Sequence, residues 1–330
     1  MPRPGSRNLI TDIAGLSVGQ AVDEKARTGV TVVLCTDGWP AGVDVRGGAP
    51  GVRETEVLAP ENLVGRAHAI VLAGGSVFGL AAADGVASAL SQRGVGLHLK
   101  SDSLAIPIVP CAVLHDLANG GDKDWGATPP YRELALRAVR SAGSDIVLGS
   151  TGAGRGAMAG LLSGGIGSTS LELGEGLIVG ALVAVNCVGS VLMPDGKTYW
   201  AWPFEIDGEL GGAAPPAAPM DVSDPAPDGS RLTEIGRLQA GANTTIGVIA
   251  TTADLSTAEC KRVAMMAHDG IARAIRPAHT PFDGDTLFAL ASSAVTIGRA
   301  PLRSAQLARI GSAAADCVAR AVARAVHHAH

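Results

Sequence analysis

The sequence predicts an α/β fold of layered helices and sheets, and three observations lead there. β-Branched apolar runs bounded by turn formers alternate with stretches of helical apolar spacing, without a clear break along 330 residues. Hydrophobic residues make up 47% and charged ones 17%, and the 44 glycines scatter through apolar runs instead of collecting in a flexible tract. Aromatics are only 3%, so Ala, Val, Leu and Ile must fill the core, which suits close-packed strands and helices joined by tight glycine turns. The length fits two domains or one, and the composition favours one single-core domain over 1–330.

In chain order, GVTVVLCT at 29–36 reads as a strand that runs into a loop at VDVRGGAPG. HAIVLAGGS is a second strand, ending at Gly74-Gly75-Ser76. Leu80, Val86 and Leu90 then keep near-helical spacing up to Gly94. DIVLGSTGAGRGAMAGLLSGGIGSTS reads as a strand opening a glycine-dense loop, followed by two paired strand candidates, GLIVGALVAV and VGSVLMP. Residues 207–230 hold Pro, Ala and Gly without hydrophobic period and are expected to form a mobile surface linker. NTTIGVIATT then reads as a strand beginning near Thr244. Ser256-Thr257-Ala258-Glu259 has capping-box form and precedes Val263, Met266 and Ile271, predicting a helix over about 257–275. After a loop with Pro277, Pro281 and Gly284 comes the strand TLFALASS. Leu307, Ile310, Ala314, Cys317, Ala321 and Ala325 mark a long C-terminal helix.

Several functional classes drop out. A net charge of -5 without clustered Lys and Arg argues against a nucleic-acid partner. MPRPGSRNLITDI lacks the pattern of a secretory signal, so a cytoplasmic location is expected. Five distant cysteines, Cys35, Cys111, Cys187, Cys260 and Cys317, fit neither a disulfide framework nor a zinc spacing. The most apolar stretch, GLIVGALVAVNCVGSVLM, falls short of the ~20 residues of a membrane span and contains Asn186, so no membrane partner is expected.

Three constellations bear chemistry. In Gly241-Ala242-Asn243-Thr244-Thr245, the Thr244 hydroxyl is a weak nucleophile that a free α-amine beside it would activate as general base. An internal threonine gains that amine if its hydroxyl attacks the preceding carbonyl, through an ester that water hydrolyses. The alternative is that two β-branched residues simply start a strand. Asp283-Gly284-Asp285-Thr286 offers two carboxylates to bond a hydroxyl and stabilise an ammonium, or else an ordinary Asp-Gly turn. Asn186, a polar amide in an apolar run, either satisfies a core hydrogen bond or donates to an oxyanion. Gly152-Ala153-Gly154-Arg155-Gly156 is neither a P-loop nor a dinucleotide fingerprint, and His327, His328 and His330 read as a solvated helix end.

Taken together, VDVRGGAPGVRETE at 43–56, LAGGSVFGLAAADGV at 72–86, GSTGAG at 149–154, AVNCVG at 184–189, NTTIGVIAT and FDGDTLFAL resemble one family nearly end to end. It is that of the L-aminopeptidase D-amidase/D-esterase DmpA, with the β-peptidyl aminopeptidases and nylon-oligomer hydrolase. The resemblance implies a four-layer αββα sandwich and a precursor cut between Asn243 and Thr244 into an α chain, 1–243, and a β chain, 244–330. It implies a homo-oligomer of αβ units, with a tetramer favoured. Thr244 matches the family's nucleophile, Asn186 its oxyanion-side asparagine, and Asp283 and Asp285 the pair found in nylon-oligomer hydrolase. Two positions depart from the pattern. Leu161 and Ser163 stand where members carry a lysine, leaving Arg155 as the nearby cation, and His115 falls near an active-site tyrosine of several members. His115 and Arg155 are thus candidates for binding substrate or oxyanion. The implied activity is hydrolysis of amide bonds in short peptides, β-amino acid amides or ω-amino acid oligomers, with no metal or cofactor. The rival readings are a pantetheine-type amidase and a catalytically silent binding protein of the same fold.

Overall fold

The computed structural model describes residues 2–101, 103–212, 216, 220–232 and 243–330. Its elements are β1 (Ser17–Asp23), β2 (Thr28–Val45), β3 (Val52–Arg53), β4 (Arg66–Ala73), α1 (Ala82–Gln92), β5 (Cys111–Val113) and α2 (Tyr131–Ser141). Then follow β6 (Met158–Ala159), β7 (Leu162–Ser163), β8 (Gly165–Gly174), β9 (Leu177–Asn186), β10 (Thr244–Ala253), α3 (Thr257–Ala274), β11 (Thr286–Val295) and α4 (Leu302–His327).

Apart from the small β6–β7 hairpin, the strands are hydrogen-bonded in the order β3-β5-β4-β2-β11-β10-β9-β8, with β1 on β2. β2 joins two halves of this ladder. Its first part pairs with β1 and β4, and beyond an irregularity between Leu34 and Trp39 its last part pairs with β11. Side-chain alternation then sorts the apolar residues into three cores. Val33, Ile70 and Leu72 from the first half meet Leu182, Ile246, Val248, Phe288 and Leu290 from the second, so the two halves face each other. The opposite face of the first half, Val32, Ala69 and Val71, packs on Val86 and Leu90 of α1 and Leu134 of α2. The opposite face of the second, Val183, Ile249 and Leu287, packs on Val263 of α3 and Val318 and Val322 of α4. The result is the four-layer αββα sandwich.

α3 begins as its capping box predicts: the Ser256 hydroxyl accepts from the Glu259 N–H, and the Glu259 carboxylate accepts from the Ser256 N–H at 2.9 Å. Three sequence expectations change. VGSVLMP is not a strand, and β9 pairs instead with β8, GIGSTSLELG, whose first part, GIGSTS, was read as the end of a glycine-dense loop. Small residues occur there because α4 lies directly on the strand: a Cβ at Gly167 would sit 1.8 Å from the Ala321 carbonyl oxygen. The Thr169 hydroxyl also donates to the Cys317 carbonyl at 2.8 Å. DIVLGST is not a strand either, contributing one bridge from Gly149 to Ile166. Finally, the strand at 29–36 continues to Val45.

Of the expected linker 207–230, residues 213–215 and 217–219 lie outside the described residues. Its two described ends are tied to the body. Glu209 accepts from Arg320 of α4 at 2.9 Å, and the Gly229 carbonyl accepts from the Leu161 N–H at 3.2 Å.

Candidate active site

Thr244 is the first residue of β10, a strand whose residues are all buried because it lies between β9 and β11. Antiparallel register sets Thr244 opposite Asn186, the last residue of β9. The preceding Asn243 bridges to Asp283 in the loop before β11. Three adjacent strands, β9, β10 and β11, thus bring together Asn186, Thr244, Asp283 and Asp285, all of them buried.

The Asn243 carbonyl oxygen receives two hydrogen bonds, one from the hydroxyl of Thr244 and one from the Gly284 N–H at 2.9 Å. Gly284 has to be a glycine for this approach, since a Cβ there would lie 2.8 Å from both Thr244 Oγ1 and the Ala49 carbonyl oxygen. The glycine loop after β2 wraps the Asp-Gly-Asp segment: Ala49 N–H donates to the Asp283 carbonyl at 2.9 Å and Arg46 N–H to the Asp285 carbonyl at 3.0 Å.

The two aspartates are held differently. Asp285 Oδ1 accepts from the Thr245 N–H at 2.6 Å, and its Oδ2 from His279 Nδ1 at 2.7 Å and the His279 N–H at 3.3 Å. Asp283 Oδ2 accepts from the Thr280 N–H at 2.8 Å and hydroxyl at 2.7 Å, while its Oδ1 has the Val188 N–H at a long 3.4 Å. Burial, and then the charge of Asp285, push the Asp283 carboxyl up to about 6.

Asn186 accepts on Oδ1 from the Met158 N–H at 2.9 Å and from Asn119 Nδ2 at 3.3 Å, and donates from Nδ2 to the His115 carbonyl at 3.1 Å. Thr244 opens onto a cleft of 330 Å³ whose walls include Pro50, Val52, Val77, Leu80 and His115. The walls of this small cleft are mostly apolar, and Thr244 is part of its lining.

A family model described as Peptidase family S58 matches residues 8–330. The chain belongs to peptidase family S58. Members hydrolyse peptide and amide bonds, and so does this one. This S58 chain is 44% identical to an uncharacterized aminopeptidase of Mycobacterium tuberculosis (strain ATCC 25618 / H37Rv), over 98% of this chain and 94% of that one. It is 30% identical to the 6-aminohexanoate-oligomer endohydrolase of Kocuria sp. (strain KY2), over 96% of this chain and 84% of that one. The L-aminopeptidase D-Ala-esterase/amidase from Ochrobactrum anthropi, a variant of the Ntn-hydrolase fold, superposes with a TM-score of 0.72 at 22% identity, over 98% and 86% of the two chains.

Set on this S58 scaffold, the sequence candidates separate. Thr244, Asn243, Asn186, Asp283 and Asp285 converge, and His115 lines the cleft. Arg155 is not among the residues that line it, and its guanidinium is engaged by Glu24 at 2.6 Å and by the Ser150 hydroxyl at 3.3 Å. Leu161 is exposed at the turn of the β6–β7 hairpin.

Three residues were not singled out in the sequence, and Gly284 was named there only as a turn glycine, although its backbone N–H reaches the Asn243 carbonyl. His279 bonds Asp285. Arg231 donates to Asn243 Oδ1 and, at 3.2 Å, to Asn119 Oδ1, and Asn119 in turn reaches Asn186. The one available signal was for His279, a titratable residue in the same short loop as the aspartates.

Proposed function

We propose that the chain is made as a precursor that cleaves itself between Asn243 and Thr244, and then works as an N-terminal-threonine hydrolase. Its substrates in this reading are amide bonds of short peptides, β-amino acid amides or ω-amino acid oligomers. The enzyme acts as a homo-oligomer of αβ units, a tetramer favoured, as the family resemblance implies, and its location in this reading is cytoplasmic. One observation carries the reading: the Asn243 carbonyl is held by the hydroxyl of the residue that follows it and, from a second side, by the Gly284 N–H.

Attack by Thr244 Oγ1 on that carbonyl carbon forms a C–O bond, and the Gly284 N–H is placed to stabilise the charge developing on the oxygen. The C–N bond then breaks and the hydroxyl proton ends on the departing nitrogen, leaving an ester and a free Thr244 amine. Water hydrolyses the ester, giving an Asn243 carboxylate and restoring the hydroxyl. The freed α-amine, with an ordinary pKa of about 8, is then the general base for the same hydroxyl acting on substrate. Asn186, across the ladder from Thr244, is the candidate oxyanion donor for that second reaction. The similarity to the Kocuria 6-aminohexanoate-oligomer endohydrolase supports unbranched ω-amino acyl groups as substrates.

Intact mass spectrometry and N-terminal sequencing test the first step. Incubation should yield fragments 1–243 and 244–330, whereas Thr244→Ala should stay a single inactive chain. A fragment starting at Thr245, or an uncut wild type after prolonged incubation, would contradict the proposal.

A further inference from the structure

A buried carboxylate pair needs something to decide which member carries a proton, because two like charges this close cannot both ionise freely. Here the partners differ in kind. Among the described residues, every group on the Asp285 carboxylate is an N–H: that of Thr245, the backbone of His279 and the ring of His279. Asp283 has one long N–H bond on Oδ1, and on Oδ2 the Thr280 N–H at 2.8 Å together with the Thr280 hydroxyl, which can turn from donor to acceptor. A proton is therefore accommodated on Asp283 and rejected by Asp285.

His279 is the only side chain bonded to Asp285 among the described residues. Its ring stands edge to face with His268, centroids 5.0 Å apart. His268 places Nε2 on the Asp44 carbonyl at 3.0 Å, and burial lowers it to about 4, so it presents a neutral ring instead of a second cation. Burial also pulls His279 down, but its hydrogen bond to Asp285 and that carboxylate's charge more than offset this and leave it above its ordinary value. Asp283 adds in the same direction from further off. Arg273 and Arg276 line the recess His279 shares, but they are engaged by Asp316 at 2.7 Å and by the Val222 carbonyl at 2.7 Å.

We propose that His279 is a positioning residue: its ring N–H keeps Asp285 ionised and seated on the Thr245 N–H beside the nucleophile, so that Asp283 carries the site's exchangeable proton. This rests on Thr244 as the reacting group, yet the ion pair can be tested without any reaction. His279 has a left-handed backbone, φ 55°, a conformation Asn tolerates, and an Asn side-chain amide can reach Asp285 much as Nδ1 does. His279→Asn thus removes the charge and keeps the hydrogen bond.

The pH profile of self-cleavage is the first readout. Removing a cation beside the pair raises the pH at which the pair takes up a proton, so the acid limb of the His279→Asn profile should move up by about 1 pH unit or more. An unmoved limb overturns the proposal. The second readout uses the uncleavable Thr244→Ala chain, titrating the His279 ring by NMR. Its midpoint should lie above that of an ordinary histidine and fall when Asp285→Asn is added, and a midpoint indifferent to Asp285 overturns the pairing. A wild type that never splits would instead sink the Thr244 reading, leaving the NMR result to decide on His279 alone.

Discussion

At Thr244 the backbone and the chemistry meet: a strand start, a buried hydroxyl, and a carbonyl held on two sides. Gly284→Ala is the sharpest probe of this geometry, because its Cβ would crowd Thr244 Oγ1 and the Ala49 oxygen at 2.8 Å. The expected outcome is a folded chain, by circular dichroism, whose self-cleavage is slowed at least 10²-fold, in line with loss of one oxyanion donor. Cleavage at the wild-type rate would remove Gly284 from the mechanism. Asp283 gives a pH prediction. Burial and the charge of Asp285 push it up to about 6 in the folded chain from 3.8 ordinarily, so the folded state binds its proton more tightly than the unfolded one. That stabilising contribution is full below pH 3.8 and is lost as the pH rises through about 6. In the uncleavable Thr244→Ala background, Asp283→Asn should therefore gain stability relative to Asp283 between pH 4 and pH 7. Urea midpoints at the two pH values check this, and a constant difference contradicts it. Thr244, Asn186 and the Asp-Gly-Asp segment were readable as residue types in suggestive settings. Gly284 was legible there only as a turn glycine, because its contribution is a backbone N–H, and Arg231 and Asn119 were not legible, because single polar residues in loops carry no pattern.

Elements were legible where local chemistry decides them and opaque where packing does. α3 carried its own start signal in Ser256 and Glu259, and β10 and β11 their β-branched and apolar runs. β8 was hidden because its glycines and serines signal a loop in isolation; they are there for the close approach of α4. Conversely, VGSVLMP has strand composition but follows the end of β9, where the chain turns away after Asn186. Gly167→Ala tests the packing account: with a Cβ 1.8 Å from the Ala321 oxygen, it should cost about 1–3 kcal/mol or more in urea unfolding of the uncleavable chain. A neutral effect would mean that α4 does not press on the strand.

For the molecule as a whole, alternation predicted layers, but only the register of β2 with both β4 and β11 shows how two half-sheets face each other. The segment around Glu209 looked like linker because Gly, Pro and Ala surround it, yet Glu209 holds fully buried Arg320. Arg320→Ala should leave that buried carboxylate with Asn8 at 2.7 Å and the more distant Arg324 at 3.8 Å, and destabilise the chain by roughly 3–5 kcal/mol. A loss under about 1 kcal/mol in the same unfolding assay would show that water replaces the pair. All five cysteines are buried, and burial pushes Cys35, Cys111 and Cys317 up to about 12, so thiol-blocking reagents should leave native turnover unchanged. The group that attacks the substrate decides the mechanism. Mature enzyme quenched during turnover of an activated amino-acyl ester, digested and sequenced by mass spectrometry, should carry the acyl group on a peptide that begins at Thr244; an acyl group on any other residue, or a peptide still joined to Asn243, would contradict it.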